Sequence, residues 1–208
     1  SMSDPIKKIF GIDLGTTYSA VAAYDEFSER AEIIPDSVAG DAETTPSVVS
    51  LSATDGTLLT GREAKANLPN APDQTVIEIK REMGTTFTEE TLAQLGAPRD
   101  RFRPEIRSAD NSMQQEGDPV HVPFAGHWYL PQEISALILM RMKEIAEAEI
   151  GEDIRDAVVT VPAYFTEKQK KATEEAVLLA GMYPRQLLPE PTAAAICYGL
   201  DQYTAARE

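Results

Sequence analysis

The chain has 208 residues, and 34 acidic against 19 basic side chains leave a net charge of −15 at pH 7. So acidic a protein is a poor partner for nucleic acid, because affinity for a phosphate backbone comes mainly from lysine and arginine displacing counterions. Hydrophobic residues at 42% supply the apolar surface for a packed core, and the single cysteine, Cys197, cannot close an internal disulfide, so a reducing, cytoplasmic setting is expected.

Ile9–Leu14 and Ser19–Tyr24 read as two strands joined by a tight Gly-Thr-Thr turn. Val48–Leu51 and Thr57–Thr60 flank Asp55-Gly56, a dipeptide that suits the positive φ angles of a hairpin. Arg62–Asn67 predicts one or two helical turns, and Thr75–Gly84 fits either a strand or a short helix. Between Thr85 and Asp118 the pattern weakens into an irregular stretch, followed at Val120–Tyr129 by an edge strand with a turn at Gly126. Pro131 then opens a helix whose stripe of Ile134, Leu137, Ile138, Met142 and Ile145 runs toward Gly151. Ala157–Val161 is a continuous apolar run, as expected of a strand buried on both faces. Thr166 and Gln169 stand at capping-box spacing before a helix that stops at Gly181. Gln186–Leu188 reads as a further strand and Pro191–Leu200 as a further helix. A hairpin meander followed by β-α-β-α predicts the α/β class with right-handed crossovers. No apolar segment approaches the roughly 20 residues that span a bilayer, and nothing behind Ser1–Pro5 reads as a secretory signal, so no membrane partner is expected.

Three places carry candidate chemistry. In Asp13-Leu14-Gly15-Thr16-Thr17-Tyr18, backbone N–H groups around a residue without a Cβ can crowd a phosphate, the hydroxyls can add hydrogen bonds, and Asp13 can hold a hydrated magnesium ion. On local chemistry alone an ordinary hairpin with a polar turn is the better reading, since short glycine motifs recur by chance. Lys80 can orient a water beside a terminal phosphate, but taken alone a solvated surface charge is the better reading. Glu190 lies past a strand end, where open α/β sheets place ligands, but taken alone a favourable charge at a helix N-terminus is the better reading. There is no Walker loop, dinucleotide fingerprint, Gly-x-Ser-x-Gly elbow or zinc-ligand spacing.

Taken in order, Ile12–Ser19, Ile79-Lys80-Arg81, Val159–Phe165 and Glu190–Ala195 resemble motifs of the seventy-kilodalton heat-shock chaperones, the DnaK-type family, and Met142–Glu149 adds to the likeness. The resemblance covers nearly the whole chain. It implies the actin-like (ribonuclease H-like) nucleotidase fold, a mixed sheet with flanking helices, in which two lobes close on ATP. Residues 1–208 would be the first lobe, with a smaller irregular subdomain at about 40–130 and with the second lobe and peptide-binding domain expected to be absent from these residues. It further implies that Gly15, Thr16, Thr17 and Tyr18 contact phosphates, that Asp13 and Glu190 arrange the hydrated magnesium, and that Lys80 positions the attacking water. Pro162 matches the family's switch proline. Its usual arginine partner appears as Lys170, which keeps the charge without the planar fork, and Pro189 stands where an asparagine is common. ATP or ADP, Mg2+ and K+ are the implied cofactors. Implied partners are unfolded client proteins, a J-domain co-chaperone and a nucleotide-exchange factor, with the lobe by itself nearly inactive. A sugar kinase or reactivating factor of the same superfamily, and a co-chaperone-binding module without catalysis, are the alternative readings.

Overall fold

The computed structural model describes residues 9–25, 30–93, 106, 115–153 and 155–189. Strands β1 (Ile9–Asp13), β2 (Tyr18–Asp25) and β3 (Arg30–Ile33) form an antiparallel meander, and the two-residue β4 (Thr45–Pro46) pairs with the start of β2. A second, three-stranded sheet has β5 (Val48–Leu51) between β6 (Leu58–Thr60) and, after helix α1 (Arg62–Asn67), β7 (Thr75–Ile77). A 3-10 turn at Ile79–Glu82, the short helix α2 (Glu89–Ala93) and a hairpin of β8 (Val122–Phe124) and β9 (His127–Tyr129) lead to the long helix α3 (Pro131–Ile150). The described part closes with β10 (Asp156–Thr160), α4 (Glu167–Leu179) and β11 (Tyr183–Leu188).

The main sheet runs β11-β10-β1-β2-β3, with its first three strands parallel and the rest antiparallel. This is the mixed α/β sheet with flanking helices that the sequence predicts. Alternation along the strands splits the apolar residues between two faces. Phe10, Ile12, Val21, Ala157 and Val159 join the principal core, with Ile134, Ile138, Leu139 and Met142 of α3 and Ala172, Ala176 and Val177 of α4. Ile9, Ala20, Ala22, Ala31 and Val158 form a smaller cluster of their own. Burial on both faces explains why β1 and β10 read as unbroken apolar runs.

Both long helices begin and end where the sequence signals them. Pro131 takes the first position of α3, Glu133 Oε1 accepts from Leu130 N at 2.9 Å, and Gly151 ends the helix at φ 76°. At α4 the Thr166 hydroxyl accepts from Gln169 N while Gln169 Oε1 accepts from Thr166 N, a reciprocal cap. Arg141 on α3 donates to the buried Asp36 at 2.9 Å, pinning the helix to the connection between β3 and β4.

Three expectations need revision. Val120–Tyr129 turns at Gly126 as expected, but the turn makes a hairpin of two strands rather than one edge strand, because Ala125 and Gly126 both take positive φ (53° and 79°) and reverse the chain between β8 and β9. Thr75–Gly84 contains both candidates in succession, the strand β7 and then the 3-10 turn. Within the Thr85–Asp118 stretch, Glu89–Ala93 is helical and Thr86 bridges to Pro119. The predicted helix at Pro191–Leu200 lies outside the described residues.

Candidate functional site around Asp13 and Lys80

Asp13 is the last residue of β1, where the strand leaves the sheet. In the parallel register it stands opposite Thr160 at the end of β10, and the Thr160 hydroxyl donates to Asp13 Oδ1 at 2.8 Å. Only 9% of Asp13 is exposed. Burial raises its pKa above the usual 3.8, and the Thr160 hydrogen bond and the nearby Lys80 charge pull the other way. A carboxylate so placed is poised to take a cation, which restores the stabilisation that water would have given it.

The chain then turns through Leu14–Thr17 into β2. A Cβ added to Gly15 would lie 1.9 Å from the Tyr18 carbonyl oxygen, so the turn closes only around a glycine. Leu14 is buried beneath it, Thr16 is half-buried, and Thr17 and Tyr18 are exposed. The Tyr18 phenol oxygen accepts from Lys65 Nζ of α1 at 2.7 Å, linking the turn to the small sheet's helix.

Lys80 arrives from that second sheet. Glu78 at the end of β7 takes a left-handed backbone (φ 53°), which swings the chain from strand into the 3-10 turn carrying Lys80. Gly84, just after this turn, sits against the first turn of α4, where a Cβ would approach Gln169 Cα to 2.8 Å. Lys80 Nζ lies 5.7 Å from the centroid of the buried Phe165 ring, and Phe165 N donates to Pro162 O at 3.0 Å. Burial lowers the Lys80 pKa from 10.5, and Asp13 raises it in partial compensation. The two charges therefore lie close enough to act on each other.

Of the residues singled out in the sequence, Asp13, Gly15, Thr16, Thr17 and Tyr18 form one turn, the Lys80 and Asp13 charges act on each other, and Pro162 follows β10 beside Phe165. The Lys170 ammonium pairs with Glu167 within α4 at 3.4 Å. Glu190 lies outside the described residues. Thr160 was not singled out, although a threonine ending an apolar strand run is a signal for it. Ser47 was also missed. Its amide donates to Thr17 O at 2.9 Å and its hydroxyl to Gly15 O at 2.8 Å.

An exposed turn of small polar residues, a buried carboxylate and a half-buried ammonium suit a phosphate with a hydrated cation. Among the described residues no group of three or more acidic, histidine or cysteine side chains gathers as a metal centre. A magnesium ion held mainly by water and phosphate oxygens needs only one or two carboxylates. No helix among the described residues is long and apolar enough to cross a membrane.

A family model described as "Hsp70 protein" matches residues 9–208. Proteins of that family are ATPases that bind ATP with magnesium, and their nucleotide-binding domain has the actin-like fold. With the mixed sheet in place and the match running over residues 9–208, the chain belongs to the Hsp70 family.

Proposed function

We propose that the chain is the first lobe of the nucleotide-binding domain of an ATP-driven chaperone. The observation that supports this reading is the buried Asp13 carboxylate at the head of a turn that closes only around Gly15, with the Lys80 charge near enough to act on it. In this reading the amides of Gly15, Thr16, Thr17 and Tyr18 and the threonine hydroxyls receive the phosphates. Asp13, together with Glu190, arranges the water around a magnesium ion, and potassium is a candidate second cation. When bound, the ion supplies charge neutralisation at the phosphate oxygens. Lys80 holds the attacking water in line and offsets negative charge developing on the terminal phosphate. Thr160 fixes the rotamer of Asp13, and Phe165 flanks Lys80 on its apolar side.

Electrostatic catalysis of phosphoryl transfer needs donors on both sides of the phosphate, so this lobe by itself is expected to hydrolyse ATP very slowly. In the whole chaperone, ATP binding and hydrolysis would shift the population between states of low and high affinity for unfolded clients. A J-domain co-chaperone and a nucleotide-exchange factor would set the pace, Pro162 and Lys170 would belong to the relay between domains, and the setting would be cytoplasmic. Equilibrium binding of labelled ATP tests the reading. Retention that depends on Mg2+ and is lost in Asp13→Asn is expected, whereas retention indifferent to both would contradict it.

A further inference from the structure

We infer that Ser47 is a positioning residue for the Gly15 turn, holding two of its carbonyls and so fixing the direction of the amides behind them. The inference rests on the phosphate-binding reading above. Ser47 follows β4, which pairs with the start of β2 through Tyr18↔Pro46 and Ser19↔Thr45. From there its amide reaches Thr17 O at 2.9 Å and its hydroxyl reaches Gly15 O at 2.8 Å. A serine hydroxyl has a single proton to give. That of Ser47 goes to Gly15, so in the 2.8 Å contact between Ser19 Oγ and Ser47 Oγ the donor is Ser19. The two hydroxyls form a short relay that ends on the Gly15 carbonyl. Ser19 and Ser47 are 1% and 2% exposed, which leaves water little access to replace either contact.

The consequence follows from peptide geometry. A planar trans unit sets its N–H opposite its C=O, and none of the described peptide bonds is cis. Drawing the Gly15 carbonyl toward Ser47 therefore turns the Thr16 N–H away from β4, and holding the Thr17 carbonyl does the same for the Tyr18 N–H. The Thr16 and Tyr18 N–H groups, with Thr17 between them, are thereby aimed to the side of the turn opposite Ser47, where they can serve an anion-binding concavity. Ser47 itself touches no phosphate in this account. It acts through the turn.

Amide NMR on the 208-residue chain separates this role from a general contribution to packing. Without nucleotide, Ser47→Ala, which removes the hydroxyl on Gly15 O and keeps the backbone bond to Thr17 O, is expected to move the Thr16 amide resonance, while Ser19→Ala, which removes a buried hydroxyl and leaves the Gly15 clamp, moves it far less. Titration with MgATP should then show affinity weakened roughly tenfold in Ser47→Ala and less than about twofold in Ser19→Ala, as for the loss of one hydrogen bond. If Ser47→Ala does not fold, Ser47→Cys, which keeps the volume and weakens the donor, is read in its place. Equal amide shifts in the two variants, or wild-type affinity in Ser47→Ala, would overturn the inference. A wild-type chain that shows no response to MgATP at the turn would instead remove the phosphate-binding reading, and the nucleotide-free amide shifts would still decide whether Ser47 orients the turn.

Discussion

Thr160 stands opposite Asp13 in the parallel register of β1 and β10, and its hydroxyl meets the Asp13 carboxylate at 2.8 Å in a buried setting. Strand pairing thus does more than hold the sheet together, because it delivers the donor that orients the carboxylate. Thr160→Val keeps the shape and removes the donor. The variant is expected to lose about 1–3 kcal/mol of stability, the cost of leaving a buried charged acceptor short of a partner. Its Asp13 carboxyl should titrate at still higher pH, since the contact with Thr160 favours the ionised form. Denaturant unfolding and carboxyl-carbon NMR read the two effects separately.

The pH dependence of the nucleotide-free chain has an unusual sign at Asp13. Its folded pKa is raised by burial, so its favourable contribution to stability is present below the unfolded value of 3.8 and is lost as pH rises through the folded value. Lys80 mirrors this. With its folded pKa lowered, its contribution is present above 10.5 and is lost as pH falls through the folded value. At neutral pH both charges are held at a cost that each partly offsets for the other. Asp13→Asn should therefore gain most relative to wild type near neutrality, with the difference shrinking on acidification toward pH 3.8, as measured by unfolding at a series of pH values. Lys80→Met should push the Asp13 midpoint further up. An unchanged midpoint would mean that the two groups do not interact.

Gly84 seats the Lys80 segment against α4, and the available space there is set by backbone. With φ at 66° and a Cβ meeting Gln169 Cα at 2.8 Å, Gly84→Ala is strained twice over. A loss of about 1–3 kcal/mol is expected. Gly56→Ala, at a similar φ of 70° but with nothing within 4 Å, should cost less. Thermal unfolding compares the two, and parity between them would show that the contact with α4 is not tight.

Much of this architecture was legible in the residues. The apolar stripe of α3, the cap at Thr166 and Gln169 and the unbroken run of β10 are local signals that tertiary packing leaves alone. β3 was not, because Arg30–Ile33 is short and turns only Ala31 fully inward, and β4 has just two residues. The β8–β9 reversal was half hidden, since Gly126 announces a turn whereas Ala125 gives no sign of its left-handed backbone. At the site, Asp13, the Gly15 turn and Lys80 were visible as residue types, and the family likeness supplied their order. What local sequence cannot express is the pairing across long separations. Thr160 meets Asp13 and Ser47 meets Gly15 only because the sheet registers bring them together.

The exposed contact between Lys65 and Tyr18 offers a control on energetic scale. Tyr18 is 44% exposed, so loss of the 2.7 Å hydrogen bond in Tyr18→Phe should cost less than about 1 kcal/mol of stability. A double-mutant cycle with Lys65→Ala measures the coupling. A much larger value would mean that the turn depends on α1 for its shape.

The central claim is that the Gly15 turn and Lys80 receive the phosphates of one nucleotide. Amide NMR of the chain during titration with MgATP, with adenosine as the comparison, tests it most directly. The account predicts shifts at residues 13–18 that require the triphosphate and diminish in Lys80→Ala. Shifts confined to other parts of the chain, or identical responses to adenosine and MgATP at the turn, would contradict it.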